Sequence, residues 1–163
     1  MSPATARKNC ARSTDRYSLT TENCCMQPFR ILEHTADIGF EALGATREEV
    51  FANAARALFH IIVELDSIEL HETVNLQVEG ADAPSLLVNW LSDLLYLQDT
   101  EGWLFREFEL NSLSEKSLTA AVRGEKADPA RHQLKLLVKA ITYHQLELGP
   151  TATGWRAQVY VDI

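Results

Sequence analysis

Two short segments of the chain hold carboxylates at positions that suit a hard cation. Asp37 lies in the segment His34–Gly39, directly before an apolar run, and Asp162 lies one residue before the last residue, Ile163. Cations such as Ca²⁺ and Mg²⁺ bind carboxylate oxygens that are held at fixed points. A strand that runs to Ile163 would add its α-carboxylate, a group with a pKa of about 3.5. Both positions also have an ordinary interpretation, because loop aspartates often cap turns and chain ends often fray.

Other ionisable residues have weaker claims to a function. Lys139 could contact a phosphate or an acidic group on a partner, or it could simply be solvated. A single histidine, such as His34 or His144, is usually neither a base nor a metal ligand. Asp99 and Glu101 lie where a helix is expected to end. Negative charge there opposes the helix dipole, unless the two residues already belong to the following loop.

Several common chemistries are missing from the sequence. It has no Gly-rich phosphate-binding loop and no Gly-x-Ser-x-Gly nucleophile motif. The cysteines Cys10, Cys24 and Cys25 all precede residue 28, so neither a disulfide framework nor a cysteine zinc site is expected beyond them. No apolar run is long enough to span a membrane. Because no export signal is recognisable, the cytoplasm is the expected compartment.

The charge balance argues against strong binding of nucleic acid. The formal net charge of the chain is −8, and residues 1–27 contain four basic and two acidic side chains, so residues 28–163 carry −10. Phosphate contacts require Lys and Arg. A domain this acidic better suits a metal ion or a basic surface on a protein partner, although the charge also favours simple solubility.

The composition divides the chain into two parts. Residues 1–27 are polar, rich in Ser and Thr, and without apolar periodicity, which predicts a disordered N-terminal extension. Residues 28–163 are predicted to form one folded domain, because their length and apolar content suffice for a core.

Capping signals and apolar periodicity predict two helices in this domain. Thr46 followed by Glu49 is a capping-box pattern. Five residues at helical spacing form one stripe to be buried: Phe51, Ala54, Ala55, Leu58 and Ile62. The second helix is predicted to begin after Asp82, with Pro84 in its first turn, and to end near Gly102.

Alternating apolar residues predict about seven strands. They are expected near residues 29–32, 38–43, 74–78, 108–110, 118–122, 134–140 and 157–161. In the strand at 134–140, Lys135 and Lys139 are expected on the face opposite the apolar residues. The strands are concentrated late in the chain, which indicates the α+β class. The expected architecture is a two-layer single domain with two helices packed on one face of a mixed β-sheet.

Four segments, taken together and in order, resemble the archease family. They read HTADIGFEALG, LLVNWLSDLLYLQDTEGWLF, VKAITYH and, at the end, GWRAQVYVDI. The resemblance covers roughly residues 28–163 and includes the Asp-Ile ending, whereas residues 1–27 lie outside it. It implies a small cytoplasmic α+β protein that acts with the RtcB-type ligase, which joins tRNA halves after intron removal. Archeases promote guanylylation of that ligase, allow multiple turnover and broaden its nucleotide use, without catalysis of their own.

The resemblance also implies a metal site and a partner contact. The family binds a divalent cation, seen as calcium, through the aspartate of its HTAD motif and the terminal Asp-Ile, which correspond here to Asp37, Asp162 and Ile163. Lys139 matches the lysine of the VKA segment and is expected to contact the partner. Structural roles remain the expectation for four other residues: His34, His144, Asp99 and Glu101.

Two other functions remain open. A stand-alone metal-dependent hydrolase or nuclease could use the same carboxylates to hold an activating ion, and it would need His34 or His144 as a base. The third alternative is a general chaperone-like binding module. Guanylylation of a purified ligase, with and without this protein, separates the first function from the other two.

Overall fold

The computed structural model describes residues 27–33 and 37–163. Its helices and strands follow in this order: β1 (Phe29–Glu33), β2 (Ile38–Gly44), α1 (Arg47–Ile62), a 3₁₀ helix (Leu65–Ser67), β3 (Glu72–Glu79), α2 (Ala83–Glu101), β4 (Trp103–Leu113), β5 (Ser117–Lys126), β6 (Ala140–Thr151) and β7 (Gly154–Asp162). The predicted disordered extension falls outside the described residues except for Gln27, and His34 falls outside them as well.

The strands form two sheets, both antiparallel throughout. The first sheet has the strand order β1-β2-β7-β6 and the second has the order β3-β5-β4. The α+β class with two helices is therefore confirmed, but two antiparallel sheets replace the single mixed sheet that was expected. Strand direction follows from the short connections β1–β2, β4–β5 and β6–β7, which join neighbouring strands as antiparallel pairs.

Both helices contact both sheets. α1 is buried around most of its circumference and packs against β2 of the first sheet and β4 of the second, while α2 packs against β6 and β3. The helices therefore do not lie on one face of a single sheet. Neither helix combines the length and the apolar character that a membrane span requires, within the part of the chain that the structure describes.

Local sequence signals position both helices as predicted. The hydroxyl of Thr46 accepts a hydrogen bond of 3.2 Å from the Glu49 N–H at the start of α1. The Asp82 carboxylate accepts one of 2.8 Å from the Ser85 N–H at the start of α2. α2 ends at Gly102, whose φ of 70° lies in the left-handed region that favours glycine. The predicted stripe of α1 is fully buried or nearly so.

The strand predicted over 134–140 is wrong for most of its length. Leu134 makes a single bridge to Val63, and β6 begins only at Ala140. β6 is an edge strand whose single neighbour is β7, and Ala140 pairs with Asp162 near the end of the chain. Residues before 139 therefore have no β7 residue opposite them, so alternation of apolar residues cannot produce a strand there.

A buried carboxylate anchors the segment 127–139, which connects β5 to β6. Glu125 is 5% exposed and accepts hydrogen bonds from the Arg131 guanidinium and, at 2.7 Å, from the Glu69 N–H. The Asp128 N–H donates to His132 Nδ1 at 2.9 Å, so the ring proton is on Nε2, which lies 3.0 Å from Glu125 Oε1. Burial acts to raise the pKa of Glu125, but the hydrogen bonds and the charge of Arg131 outweigh it and lower that pKa to about 2.

This anchor predicts part of the pH dependence of stability. Because the folded-state pKa of Glu125 lies below its ordinary value of 4.5, the ionised group stabilises the fold above that pH. The stabilisation is lost as the pH falls from 4.5 to about 2. We expect urea unfolding at about pH 6 and about pH 3 to show a larger loss of stability in the native protein than in Glu125→Gln. An equal loss in both proteins would contradict the lowered pKa.

A close approach between β4 and β5 predicts a second stability effect. Gly124 of β5 pairs with Phe105 of β4, and a Cβ atom at Gly124 would lie 1.9 Å from the main-chain oxygen of Leu104. Gly124→Ala should therefore lower the free energy of unfolding by about 2 kcal/mol or more. The matched control is Gly149→Ala, since a Cβ there meets no atom within 4 Å. We expect this control to change stability by less than about 0.5 kcal/mol in urea unfolding. Equal stability of the two variants would refute the steric argument.

Candidate metal centre

Antiparallel pairing of β2 with β7 brings the two predicted aspartates to the same edge of the first sheet. Ile38 pairs with Val161, so Asp37 lies one residue beyond that pair, across from Asp162. From the other side, Ala140 of β6 pairs with Asp162. Residues directly opposite one another in such a ladder project to the same face, with Cβ atoms about 5 Å apart. The two carboxylates therefore lie on one face of the sheet.

Both aspartates line a single cavity at this edge. Its volume is about 280 Å³, and both residues are exposed, so their carboxylate oxygens are open to solvent. Within the described part of the chain, five further residues line it: Ala140, Thr142, His144, Tyr160 and Val161.

The glycine of the HTADIG segment makes room for one wall of this cavity. A Cβ atom at Gly39 would lie 2.8 Å from the ring of Tyr160, which is closer than side-chain packing allows. The Tyr160 ring meets the His144 ring edge-on at 6.0 Å, and the Thr142 hydroxyl donates to the Tyr160 carbonyl at 2.9 Å. Gly39 therefore contributes to the site because its missing side chain leaves space for the Tyr160 ring.

A bulge in β6 accompanies the placement of His144. Four residues of β6, Tyr143–Leu146, oppose a single residue of β7, Val159. Within the bulge Gln145 has a φ of 48°, which residues other than glycine adopt uncommonly. Sequence reasoning assigned His144 a structural role and did not consider Thr142. Alternation along the strand places Thr142 on the side of Ala140, but His144 lies within the bulge, where alternation does not fix the face.

Lys139 binds the last two residues of the chain. Its N–H donates to the Asp162 carbonyl at 2.7 Å, and its Nζ donates to the main-chain oxygen of Ile163 at 3.2 Å. Lys139 precedes β6, so its expected position on a strand face is wrong. It lines a second cavity of about 460 Å³ beside α2, and Ala140 lines both cavities.

The residues at this edge fit a divalent cation. Asp37 and Asp162 offer carboxylate oxygens and Ile163 offers main-chain oxygen, which is the donor type that hard cations prefer. His144 adds a nitrogen donor in the same cavity, and imidazole suits transition metals better than calcium. The oxygen donors at this edge therefore suit calcium.

A second group of residues has metal-ligand spacing but already contains a cation. Glu69, His71 and Glu125 bring one ligand atom each within 4.8 Å of one another. Arg131 pairs with Glu125 and approaches Glu69 to 3.8 Å, and His71 lies 2.6 Å from Glu69. Among the residues that the structure describes, this group is an ion-pair network that anchors the segment 127–139.

The two acidic residues at the end of α2 have separate surroundings. Glu101 accepts a hydrogen bond of 3.1 Å from the Trp103 indole and lies 3.6 Å from Lys126. Asp99 lines the larger cavity beside α2. Both belong to the last turn of α2 and not to the following loop, so the helical interpretation is confirmed.

Comparison with known proteins supports the resemblance that the four sequence segments indicated. A model of the archease protein family (MTH1598/TM1083) matches residues 29–163. Protein archease of Methanosarcina barkeri is 45% identical over 139 residues, which cover 83% of this chain and 95% of that protein. Protein archease of Pyrococcus abyssi is 44% identical over 142 residues, which cover 85% of this chain and all of that protein.

A solved structure shows the same fold. The solution structure of protein 1598 of Methanobacterium thermoautotrophicum superposes with a TM-score of 0.70 at 30% identity, covering 83% of this chain and 99% of that one. The family match, the identities and the shared fold lead to one conclusion: this chain belongs to the archease family.

Proposed function

We propose that this protein is an accessory factor that activates an RtcB-type tRNA-splicing ligase in the cytoplasm. It promotes guanylylation of the ligase, supports multiple turnover and broadens the nucleotides that the ligase uses. Membership of the archease family supports an accessory role. The observation that carries the proposal is the shared cavity of Asp37 and Asp162, because these two residues are the aspartates of the segments that define the resemblance.

The proposed cofactor is a divalent cation, Ca²⁺, held by Asp37, Asp162 and the main-chain carboxylate of Ile163. Two side-chain carboxylates on one face of the sheet repel each other unless a cation lies between them. A cation bound there would neutralise them and supply a positive charge that an anionic group on the ligase side can approach. The residues of the chain hold that charge at the edge of a packed sheet, where its position is fixed.

Lys139 is the proposed contact between this site and the ligase. It is exposed, and its main chain and side chain both bind the residues that end the chain. An ammonium group beside the ion site presents a second positive charge on an otherwise acidic domain. Such a pair of charges suits a phosphate or a carboxylate at the active site of a partner.

A stand-alone metal-dependent hydrolase is the second candidate, because His144 shares the cavity with both aspartates. A metal-activated water needs a nearby base, and an imidazole in the same cavity is of the right type. The two functions differ in one observable. A hydrolase turns over substrate without any ligase present, whereas an activator does not.

The first functional prediction concerns the proposed metal ligands. We expect Asp37→Asn, Asp162→Asn and a hexahistidine tag placed after Ile163 each to weaken calcium binding by about tenfold or more, since each removes a negative ligand. Calcium affinity is measured by titration calorimetry. Guanylylation of the ligase encoded in the same genome is measured with radiolabelled GTP. Activation should fall together with affinity in all three variants.

Matched controls separate this effect from charge or tagging alone. Asp66→Asn removes an exposed carboxylate that lines neither cavity. An N-terminal tag is attached far along the chain from β7. Both variants should have the calcium affinity and the activation of the native protein. Native calcium affinity after C-terminal tagging would remove Ile163 from the site. Metal-dependent turnover by the protein alone, lost in Asp37→Asn, would favour the hydrolase instead.

The second functional prediction concerns Lys139. We expect Lys139→Ala to reduce activation at limiting protein while changing the free energy of unfolding by less than about 0.5 kcal/mol, because the side chain is exposed. Lys116→Ala removes an equally exposed lysine from the turn between β4 and β5 and should keep full activation. If Lys139→Ala activates as well as the Lys116 control, Lys139 is a solvated lysine and not a partner contact.

A further inference from the structure

The segment before β6 exposes three leucine side chains. Leu134, Leu136 and Leu137 are 51%, 39% and 63% exposed, and we refer to these three residues as the leucine ridge. Lys135 between them is exposed as well, and its Nζ donates to the His60 carbonyl at 3.0 Å. Single exposed apolar residues are ordinary, but a contiguous group of them commonly marks an interaction site.

Leu137 of the leucine ridge lines the larger cavity, and an exposed aromatic residue of α2 lines it as well. Tyr96 is 63% exposed and lines the cavity together with Leu137. Asp99 and Lys139 line it as well, so charged groups accompany the apolar ones. An apolar groove with an aromatic residue and a few charges has the composition of the central part of a protein–protein interface.

The main chain of two ridge residues, Leu136 and Leu137, is also available for binding. The N–H of Lys135 donates to the Ile62 carbonyl and that of Lys139 donates to the Asp162 carbonyl, both at 2.7 Å. Between these anchors, the main-chain groups of Leu136 and Leu137 bond to no other group in the described part of the chain. Unpaired main-chain groups beside apolar side chains are what an extended segment of another protein recognises.

We propose that the leucine ridge and its cavity form the docking surface for the ligase, an inference that rests on the proposed function. The occupant is an extended segment of a protein partner, with an apolar side chain in the cavity and basic residues around it. Charge decides among the possible occupants, because residues 28–163 carry −10. A second copy with the same charge, an anionic membrane or a nucleic acid would be repelled, whereas a basic protein surface would be attracted.

The position of the cavity supports the same partner. Ala140 lines both cavities, and Lys139 reaches from the larger cavity to the main-chain oxygen of Ile163. A segment docked in the larger cavity therefore reaches Ala140, which also lines the cavity of Asp37 and Asp162. A partner that docks at the ridge would then contact the neighbouring edge of the sheet, which carries Asp37 and Asp162.

The test is Leu137→Asp, compared with Asn75→Asp as a control of equal charge on the exposed face of β3. Binding to the immobilised ligase from the same genome is measured by biolayer interferometry, and calcium binding by calorimetry. We expect Leu137→Asp to weaken ligase binding by about tenfold or more, with unchanged calcium affinity and thermal melting. The control should bind like the native protein. Tyr96→Ser, on the α2 side of the cavity, should weaken binding independently.

Three other outcomes would overturn the inference, and the measurements distinguish them from one another. If the native protein binds the ligase and both ridge variants bind equally well, the docking surface lies elsewhere while the proposed function stands. If the native protein does not bind the ligase at all, the proposed function fails as well. If light scattering shows a native dimer that Leu137→Asp dissociates without loss of ligase binding, the ridge is a self-association surface.

Discussion

The pairing of β2 with β7 is the contact on which the rest of the structure depends. It places Phe40 opposite Val159, and both side chains are completely buried in the core. The same register places Asp37 across from Asp162 at the exposed edge. A shift of one residue would turn the apolar side chains of a strand to the opposite face and expose them to solvent, which would destabilise the core. The register that brings the two carboxylates together is therefore maintained by hydrophobic burial several residues away, and not by the carboxylates themselves.

A second constraint acts on the long connection between β5 and β6. The buried carboxylate of Glu125 pairs with the exposed Arg131 and the buried His132, and these contacts hold this connection near the second sheet. The Lys139 main chain fixes its other end to β7 in the first sheet. Because both ends of this connection are anchored, few of its conformations can bury its apolar side chains. Leu136 and Leu137 lie between the ties and remain in solvent. Loss of the partners of Glu125 would leave a buried carboxylate uncompensated, which is costly, so this anchor helps to determine where Lys139 lies.

The features that the sequence predicted correctly are those with local causes. The caps at Thr46 and Asp82 and the glycine that ends α2 depend on neighbouring residues alone, and they lie as expected. The strand at 134–140 failed because its partner strand ends opposite Ala140, a fact of tertiary pairing that alternation cannot show. The division into two sheets is equally non-local. The positions of Asp37, Asp162 and Ile163 made them candidates, but only the resemblance favoured a metal site over a turn cap and a frayed end. Their role in metal binding remains a prediction, as does the partner contact of Lys139. The place of His144 depends on the bulge in β6, which alternation of residue types does not predict, and an isolated histidine gives little reason to be chosen.

The order of strands in the two sheets has a consequence for biosynthesis. The second sheet uses β3, β4 and β5, which together with α2 form one continuous stretch of chain, whereas the first sheet joins β1 and β2 to β6 and β7. During translation the second sheet has all its strands while the first still lacks half of its own. Pairings between distant segments form slowly because a long loop must close first. The cavity between Asp37 and Asp162 is thus the last part of the molecule to be assembled, and until β7 emerges from the ribosome, β2 has an open edge that a chaperone or another nascent chain can reach.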